Sequence, residues 1–596
     1  MRPISSPCKF IASAVAFLVL AVALSACSQS PVSTPASTQL RDWWKNAVLY
    51  EIYPRSFQDS NGDGIGDLNG ITKRLDYLKD LGVDAIWLTP CYPSPQVDFG
   101  YDISDFKKID PQYGTLADFD HLVAEAKKRQ IRIVMDMVMN HTSDKHKWFL
   151  ESRSSPTNPY RDWYVWRDGK GQTATSKGLP PNNWISSFGH SAWEWDEKTR
   201  QYYYHKFYIQ QPDVNWENPK VHEAFKDIIR FWLDRGVGGF RFDAITTLYE
   251  DPSFADEPLV KDKEGHPVLN EFGDQKTDKS NTVGLPGFHT VMNEVRVISD
   301  SYPSTDFPGT RVLIGETYPH NIGELAAMYG TRDKPELHLP MDMQIGIINK
   351  LDVSQFRARI SEAETGIHNN VPLIVFDNHD NPRLDMRYGD GVHDTEIQRV
   401  ISTLLFATQG AAMFYYGDEL GMKTTPPTRK EDVQDPIGVT GWPKEKGRDG
   451  ERTPMQWDAK LNASFSKAKP WLPIPPSATT LNVEAEKIDP NSLFNWFKQL
   501  IQLKKTNAPL AQGTTVMLDP TNTKVLSWTR TTLDEESVLV TVNFTAEPQV
   551  VSFSTAQAVQ KPLKTLLKSP GTTDPTSLNH IELGPFGVYV GQILNK

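Results

Sequence analysis

Four short segments place charged or hydrogen-bonding side chains at the ends of apolar runs: Asp136-Met137-Val138-Met139-Asn140-His141, Gly239-Phe240-Arg241-Phe242-Asp243, Gly315-Glu316-Thr317 and Phe376-Asp377-Asn378-His379-Asp380. Arg241 lies two residues before Asp243, so on a strand both side chains leave the same face and the cation holds Asp243 ionised as a nucleophile. Glu316 then suits a general acid, a role that needs a raised pKa of the kind burial and nearby carboxylates can supply. Asp380 is a third carboxylate, and His141 and His379 accompany the set. Such a group can break a bond through a cationic transition state: one carboxylate attacks or stabilises, another protonates the leaving oxygen. Any one of these residues alone reads as a helix cap or an ion pair. Four such segments in order, each at the end of a run, read as a site.

A scaffold must bring those run ends to one face. Buried apolar runs fall at 47–52, 83–88, 131–138, 237–242, 312–314, 339–343, 373–376 and 412–416, separated by helical patterns such as 116–129 and 221–235. Eight strands alternating with helices predict an α/β fold, a (β/α)₈ TIM barrel, whose parallel strands are buried on both faces and whose chemistry sits at the C-terminal strand ends. The sixth run is the weakest. We assign the barrel to 42–141 and 216–511, with an inserted subdomain after strand three at 142–215, dense in Trp, Tyr and Phe. Aromatic faces pack on the CH faces of pyranose rings, so this insertion is expected to wall a sugar site, with part of it forming a small core. Residues 512–596 alternate and predict a C-terminal antiparallel β-sandwich.

Composition narrows the class. The 596 residues carry a net charge of -11, which argues against nucleic acid as a partner. Mean hydropathy is -0.47 and no apolar run reaches about 20 residues, which excludes a polytopic membrane protein. At the N-terminus, Arg2 and Lys9 precede the apolar stretch 10–24, the pattern of a secretory signal. Leu24-Ser25-Ala26-Cys27 resembles the bacterial lipobox, in which the cysteine is acylated and becomes the mature N-terminus. The expected organisation is a signal peptide at 1–26 and a flexible Ser/Thr/Pro tether at 27–41, with lipid on Cys27 anchoring an exported protein to the membrane. By the sorting rules this resembles, Ser28 after the cysteine favours the outer membrane of a diderm host. Cys91 is then the single remaining thiol, so no internal disulfide is expected.

The four segments resemble the signature regions of the α-amylase family of glycoside hydrolases, in the branch of oligo-1,6-glucosidases, maltases and α-glucosidases. Gln211-Pro212-Asp213-Val214-Asn215 is similar to that branch's additional region, with Val214 where leucine is usual. The stretch from Trp43-Trp44-Lys45 to Tyr53-Pro54-Arg55-Ser56-Phe57, and Arg452-Thr453-Pro454-Met455-Gln456-Trp457, resemble it too. The resemblance implies retention through a covalent glycosyl-Asp243 intermediate, with Asp380, His141 and His379 binding the same sugar. It also implies that Asp98 holds the non-reducing-end hydroxyls while Tyr101 stacks beneath the ring. Asp98 is expected to pair with an arginine, Arg452 in the first place and Arg448 in the second. Closing the far side of one glucose makes an exo-acting enzyme. Ala244 follows the nucleophile and is expected to border the leaving sugar, where the branch's α-1,4-favouring members carry a smaller residue than valine.

Asp59, Asn61, Asp63, Ile65 and Asp67 alternate oxygen donors around Gly64, as in the first half of an EF-hand loop, but the twelfth position is Gly70 and the bidentate glutamate is absent. The resemblance is to the structural Ca²⁺ loop of the branch, with Ile65 giving its carbonyl; a metal-free turn is the alternative. No organic cofactor is implied. The expected activity is a retaining, exo-acting α-glucosidase on short α-glucosides, maltose-type bonds preferred. A related transglucosidase or isomerase, such as a sucrose isomerase or trehalose synthase, is the nearest rival. No Arg-Leu-Asp-Arg-Asp segment of the sucrose isomerase kind lies between Glu316 and Asp380. A non-catalytic carbohydrate-binding lipoprotein would show an eroded site, whereas Arg241, Asp243, Glu316 and Asp380 are all present.

Overall fold

The computed structural model describes residues 42–303, 309–553 and 561–594; the signal-like stretch, Cys27 and the tether lie outside them. Among the described residues eight parallel strands form one sheet in which chain neighbours are ladder neighbours: Val48–Ile52, Ala85–Leu88, Arg132–Val138, Gly239–Asp243, Val312–Gly315, Leu339–Pro340, Leu373–Val375 and Ala411–Tyr415. The first pairs with the eighth, and a parallel bridge between Met341 and Leu373 closes the ring. Every residue of the first, third and fourth strands is buried, which is why these segments read as runs rather than alternations. The sixth strand is shorter than the 339–343 run, with only Leu339 and Pro340 in register with Ile314 and Gly315. Pro340 has no N–H to give to the ladder.

The helices that hold the ring are locally specified. Leu116–Lys128 begins with a capping box between Thr115 and Asp118. Pro219–Asp234 starts from an Asn218 cap with proline in first place, and buries Val221, Phe225, Ile228, Ile229, Trp232 and Leu233 along one stripe. Register then fixes the site. Asp136 lies opposite Arg241, and Val138 opposite Asp243.

The insertion forms a three-stranded antiparallel sheet, Trp166–Arg167, Gln201–Tyr204 and Trp193–Asp196 in that order. Here the rings divide unequally between the two uses expected of them, a small core and a cavity wall. Val165, Trp184, Ala192, Trp193, Tyr202 and Tyr204 pack on one another as a core, and among the insertion's aromatic rings only Phe188 and Phe207 line the cavity described below. A small sheet with one helix has little aliphatic material, and its rings supply the buried area. A second excursion, which the sequence reading placed inside the barrel, follows strand four: residues 250–284 carry bridges Leu259–Thr277, Lys261–Pro267 and Leu269–Gln275. It is tied to the insertion by Trp184 Nε1 donating to Ala255 O at 2.9 Å and Asn183 Nδ2 to Glu257 O at 2.9 Å. Beyond the last helix, Ala508–Gln512, the chain builds a five-stranded antiparallel sheet and a two-stranded one, Gln549–Val551 with Ile581–Leu583. Val525, Leu539, Val551, Leu578, Ile581, Leu583 and Tyr589 pack together as the core of this region. Among the described residues no helix is long and apolar enough to cross a membrane.

Candidate active site

One cavity, about 880 Å³, opens at the C-terminal ends of the barrel strands. Asp98, Tyr101, His141, Asp243, Ala244, Glu316 and Asp380 line it, while Arg241, His379 and Arg452 are buried behind that lining. Arg241 organises the floor. Its Nη1 donates to Asp243 Oδ1 at 2.6 Å and to Asp136 Oδ1 at 3.1 Å, and its Nη2 lies 3.2 Å from Glu316 Oε2. The main-chain N–H of Ala244 donates to the same Glu316 oxygen at 2.9 Å. Ala244 reaches that position in the left-handed region, at φ 44° and ψ 38°. Asp136 also accepts from Tyr101 OH at 3.0 Å and Trp87 Nε1 at 3.1 Å.

Three carboxylates thus surround one guanidinium. Burial is the largest influence on Asp136 and carries it up to about 6 against the pull of Arg241. Burial also raises Asp243, helped by the like charges of Glu316 and Asp136 and opposed by Arg241. A cluster with more acids than cations holds a proton among its members. The short bond from Arg241 favours the ionised form of Asp243. Asp380 behaves oppositely: burial pushes it up, but His379, Arg448, Arg452 and Arg241 together hold it well below the usual carboxylate range. It accepts from Arg448 Nη1 and Arg452 Nη2, each at 2.8 Å.

The arginine expected to meet Asp98 is corrected. Arg448 Nη2 donates to Asp98 Oδ1 at 2.8 Å, whereas Arg452 turns to Asp380 and to the carbonyl of His379. Arg452 follows Asp449–Gly450–Glu451 into the barrel interior, and Arg448 stays at the edge, where its Nε donates to Asp435 Oδ2 at 2.7 Å. Gln211 completes the pocket by donating to Asp98 Oδ2 at 3.0 Å. His141 Nε2 sits 3.2 Å from the Tyr101 carbonyl, and burial takes its pKa down to about 3, so the ring is neutral. Tyr101 lies flat on His379, centroids 5.3 Å apart and planes within 9°.

A family profile described as the α-amylase catalytic domain matches residues 51–513. The chain belongs to the α-amylase family. A probable α-glucosidase of Rhizobium meliloti (strain 1021) is 41% identical over 485 residues, covering 79% of this chain and 84% of that protein. An oligo-1,6-glucosidase of Parageobacillus thermoglucosidasius is 37% identical over 590 residues, covering 93% and 99%. Among solved structures, the trehalulose synthase of Pseudomonas mesoacidophila MX-45 superposes with a TM-score of 0.82 at 36% identity, over 93% of this chain and 99% of that one.

Within this α-amylase-family barrel, the far wall of the cavity comes from residues that sequence reasoning passed over. Lys206 and Phe207 come from the insertion, Lys279 and Val283 from the second excursion, and Phe288, His289, Tyr318 and Met328 from the segments after strands four and five. None stands at the end of an apolar run. Lys206 is buried, donates to Thr282 Oγ1 at 2.7 Å, and is brought down to about 8 by burial. The loop at 59–67 follows strand one on the far side of Pro54–Phe57. Asp59 accepts from the N–H groups of Asn61, Gly62 and Gly64, Asn61 Oδ1 from Asp63 N, Asp63 Oδ1 from Ile65 N, and Asp67 from Ser60 N and Gly70 N. The side-chain oxygens of Asn61, Asp63 and Asp67 each accept one hydrogen bond and retain a lone pair that suits a hard cation, whereas Asp59 Oδ1 already accepts two N–H groups and its Oδ2 accepts from Gly64 N and Ser466 Oγ. Among the described residues, however, no three His, Cys, Asp or Glu side chains are gathered as a metal cluster. Gly64 has φ +94°, and a Cβ there would meet the Lys469 carbonyl at 2.2 Å, so the loop's sixth position requires glycine whether or not metal binds.

Proposed function

We propose that the protein is a retaining, exo-acting α-glucosidase that removes glucose from the non-reducing end of short α-glucosides. The observation that carries this reading is the single guanidinium of Arg241 spanning Asp243 and Glu316, in a cavity also lined by Asp98, Arg448 and Asp380, which Arg448 links to one another. In the first step Asp243 attacks the anomeric carbon while Glu316 gives its proton to the departing oxygen. In the second, Glu316 takes a proton from water, which displaces Asp243 from the sugar. Asp380, ionised and fixed by two arginines, accepts from sugar hydroxyls and favours the positively charged transition state. Asp98 and Arg448 grip the remaining hydroxyls and leave no path for a longer chain.

The similarity to a trehalulose synthase supports a second reading, in which the same glycosyl intermediate is passed to another sugar rather than to water. Incubation with maltose, isomaltose, sucrose and trehalose separates the two: free glucose from maltose supports hydrolysis, while a rearranged disaccharide from sucrose in place of monosaccharides supports the isomerase. No turnover of any of the four would favour a binding protein.

For linkage, Ala244 at the cavity wall supports a preference for maltose over isomaltose, because it leaves room that a β-branched side chain would fill. The loop at 59–67 is proposed to hold a structural Ca²⁺ through Asp59, Asn61, Asp63, Asp67 and the Ile65 carbonyl; no catalytic step involves it. Export and lipid anchoring through Cys27 rest on the Leu24-Ser25-Ala26-Cys27 pattern. Detergent partitioning that Cys27→Ala abolishes would support the anchor, and partitioning unchanged by it would remove that part of the reading.

A further inference from the structure

Glu51 lies on the first strand within an apolar run, fully buried among the barrel's interior side chains. Its Oε1 is 2.6 Å from His379 Nδ1, and its Oε2 has no hydrogen-bond partner. We propose that Glu51 is a positioning residue: as a neutral carboxylic acid it donates to His379 Nδ1, and so fixes the tautomer that presents Nε2–H to the sugar beside Asp380. This rests on the glucosidase reading of the same site.

Three observations converge on it. A proton must lie between two atoms 2.6 Å apart, since two lone pairs repel at that distance. If that proton belonged to a neutral His379 ring, Nε2 would turn a lone pair toward Asp380 Oδ2, which lies 3.3 Å away and is held ionised by Arg448 and Arg452. With Nδ1 accepting from Glu51, Nε2 carries the hydrogen and that contact becomes attractive. An imidazolium facing an ionised Glu51 would satisfy the same distances, but it would leave a charged oxygen, Oε2, buried and unpartnered. A neutral acid leaves only a carbonyl there, which costs far less. The groups facing Glu51 agree with this. Burial raises its pKa first, Asp380 and Asp377 add to the rise, and Arg241, which opposes them, is already shared by Asp136, Asp243 and Glu316. Burial likewise holds His379 well below its ordinary value; Asp380 opposes this, and Arg452, Arg241 and Arg448 add to it.

The ring has no freedom to choose otherwise. Tyr101 covers one face at 5.3 Å, Tyr53 stacks at 5.8 Å with 21° between planes, and the edge of Trp87 meets it at 5.8 Å. The main-chain N–H of His379 also reaches Glu51 Oε1 at 3.3 Å, so the backbone is held by the atom that holds the ring.

Glu51→Gln keeps a neutral N–H donor in nearly the same shape, whereas Glu51→Leu removes the donor. On maltose, Glu51→Gln is expected to retain kcat/KM within tenfold of the parent. Glu51→Leu is expected to lose at least a hundredfold, mostly in kcat, because the lost contact is to a sugar in its transition state. A loss beyond tenfold in Glu51→Gln would mean that charge is required, and would overturn the proposal. A direct reading needs no turnover. In parent protein labelled with ring-¹⁵N histidine, the His379 resonances, identified by their absence in His379→Gln or by their shift in Glu51→Gln, should show hydrogen on Nε2 alone. Hydrogen on Nδ1, in either the neutral or the charged ring, would overturn the assignment. That readout holds even if maltose proves not to be a substrate, in which case it is the glucosidase reading that fails.

Discussion

On the floor of the cavity, Glu51, Asp136, Arg241 and Asp243 sit on three barrel strands, each buried and each held by ladder bonds and by at least one short polar contact. At the rim, Phe188, Lys206, Phe207 and Lys279 come from two excursions whose own packing is a small aromatic core and a few isolated bridges. The floor is positioned by the fold itself, so its geometry is expected to move little between free and bound states. The rim is positioned by side chains such as Trp184 and Asn183 that tie one excursion to the other. Chemistry is therefore expected to belong to the floor, and the choice of leaving group to Ala244, where the floor meets the rim. Arg448 joins the two, touching Asp380 at a strand end and Asp98 and Asp435 at the edge.

The sharpest way to break this comparison is at the floor. Asp243→Asn is nearly isosteric and keeps a partner for Arg241, so it should lower kcat by roughly 10⁴-fold or more with the fold intact by circular dichroism. A drop of less than tenfold would put the nucleophile elsewhere. Arg448→Met comes next, because it leaves Asp98, Asp380 and Asp435 facing one another; about 3 to 5 kcal/mol is the usual cost of stripping a buried charge of its partner. KM should rise with kcat falling, and Tm should drop. Its pH dependence is diagnostic. Burial raises Asp435, but Arg448 outweighs it and takes the pKa to about 2. A group depressed in this way stabilises the fold fully above its unfolded value near 4. That stabilisation is lost as pH falls toward 2, and Arg448→Met should flatten this acid limb in urea unfolding measured at several pH values.

At Ala244, where the floor meets the rim, effects should be smaller and should change selection more than rate. Ala244→Val is expected to narrow or reverse the ratio of kcat/KM on maltose to that on isomaltose by about 10- to 200-fold. Because Ala244 is left-handed and its N–H holds Glu316, valine should also lower kcat on both sugars. Ala244→Gly, free of that strain, should keep kcat and leave the ratio near the parent's. An unchanged ratio in Ala244→Val would move linkage choice to the excursions. The smallest expected effect is that of chelation. Removing Ca²⁺ from the 59–67 loop should lower Tm by a few degrees, restored by adding Ca²⁺, with kcat at low temperature nearly unaffected. An identical Tm in chelator and in Ca²⁺ would leave the loop as a turn held by its own hydrogen bonds.

The barrel and the carboxyls that line its cavity were legible because burial on both faces turns a strand into a run, and Asp243, Glu316 and Asp380 interrupt the pattern where a run stops. Glu51 was hidden by the same rule, since it lies inside a run and burial conceals its chemistry. Aromatic density in 142–215 gave a subdomain but not its use, because rings in a core and rings against a sugar have the same composition. Arg448 and Arg452 stand four apart in a segment without periodicity, and which one turns outward depends on Asp435, thirteen residues upstream of Arg448. The 250–284 excursion, rich in polar residues and short bridges, offered no pattern to separate it from a connecting loop.

The claim that Arg241 holds Asp243 and Glu316 as a nucleophile and acid on one sugar is tested most directly by the configuration of the product. Proton NMR of a fresh maltose digest, recorded before mutarotation, should show the released non-reducing-end glucose first as the α-anomer, as double displacement through Asp243 requires. Initial accumulation of β-glucose would mean a single displacement by water, and would contradict the account.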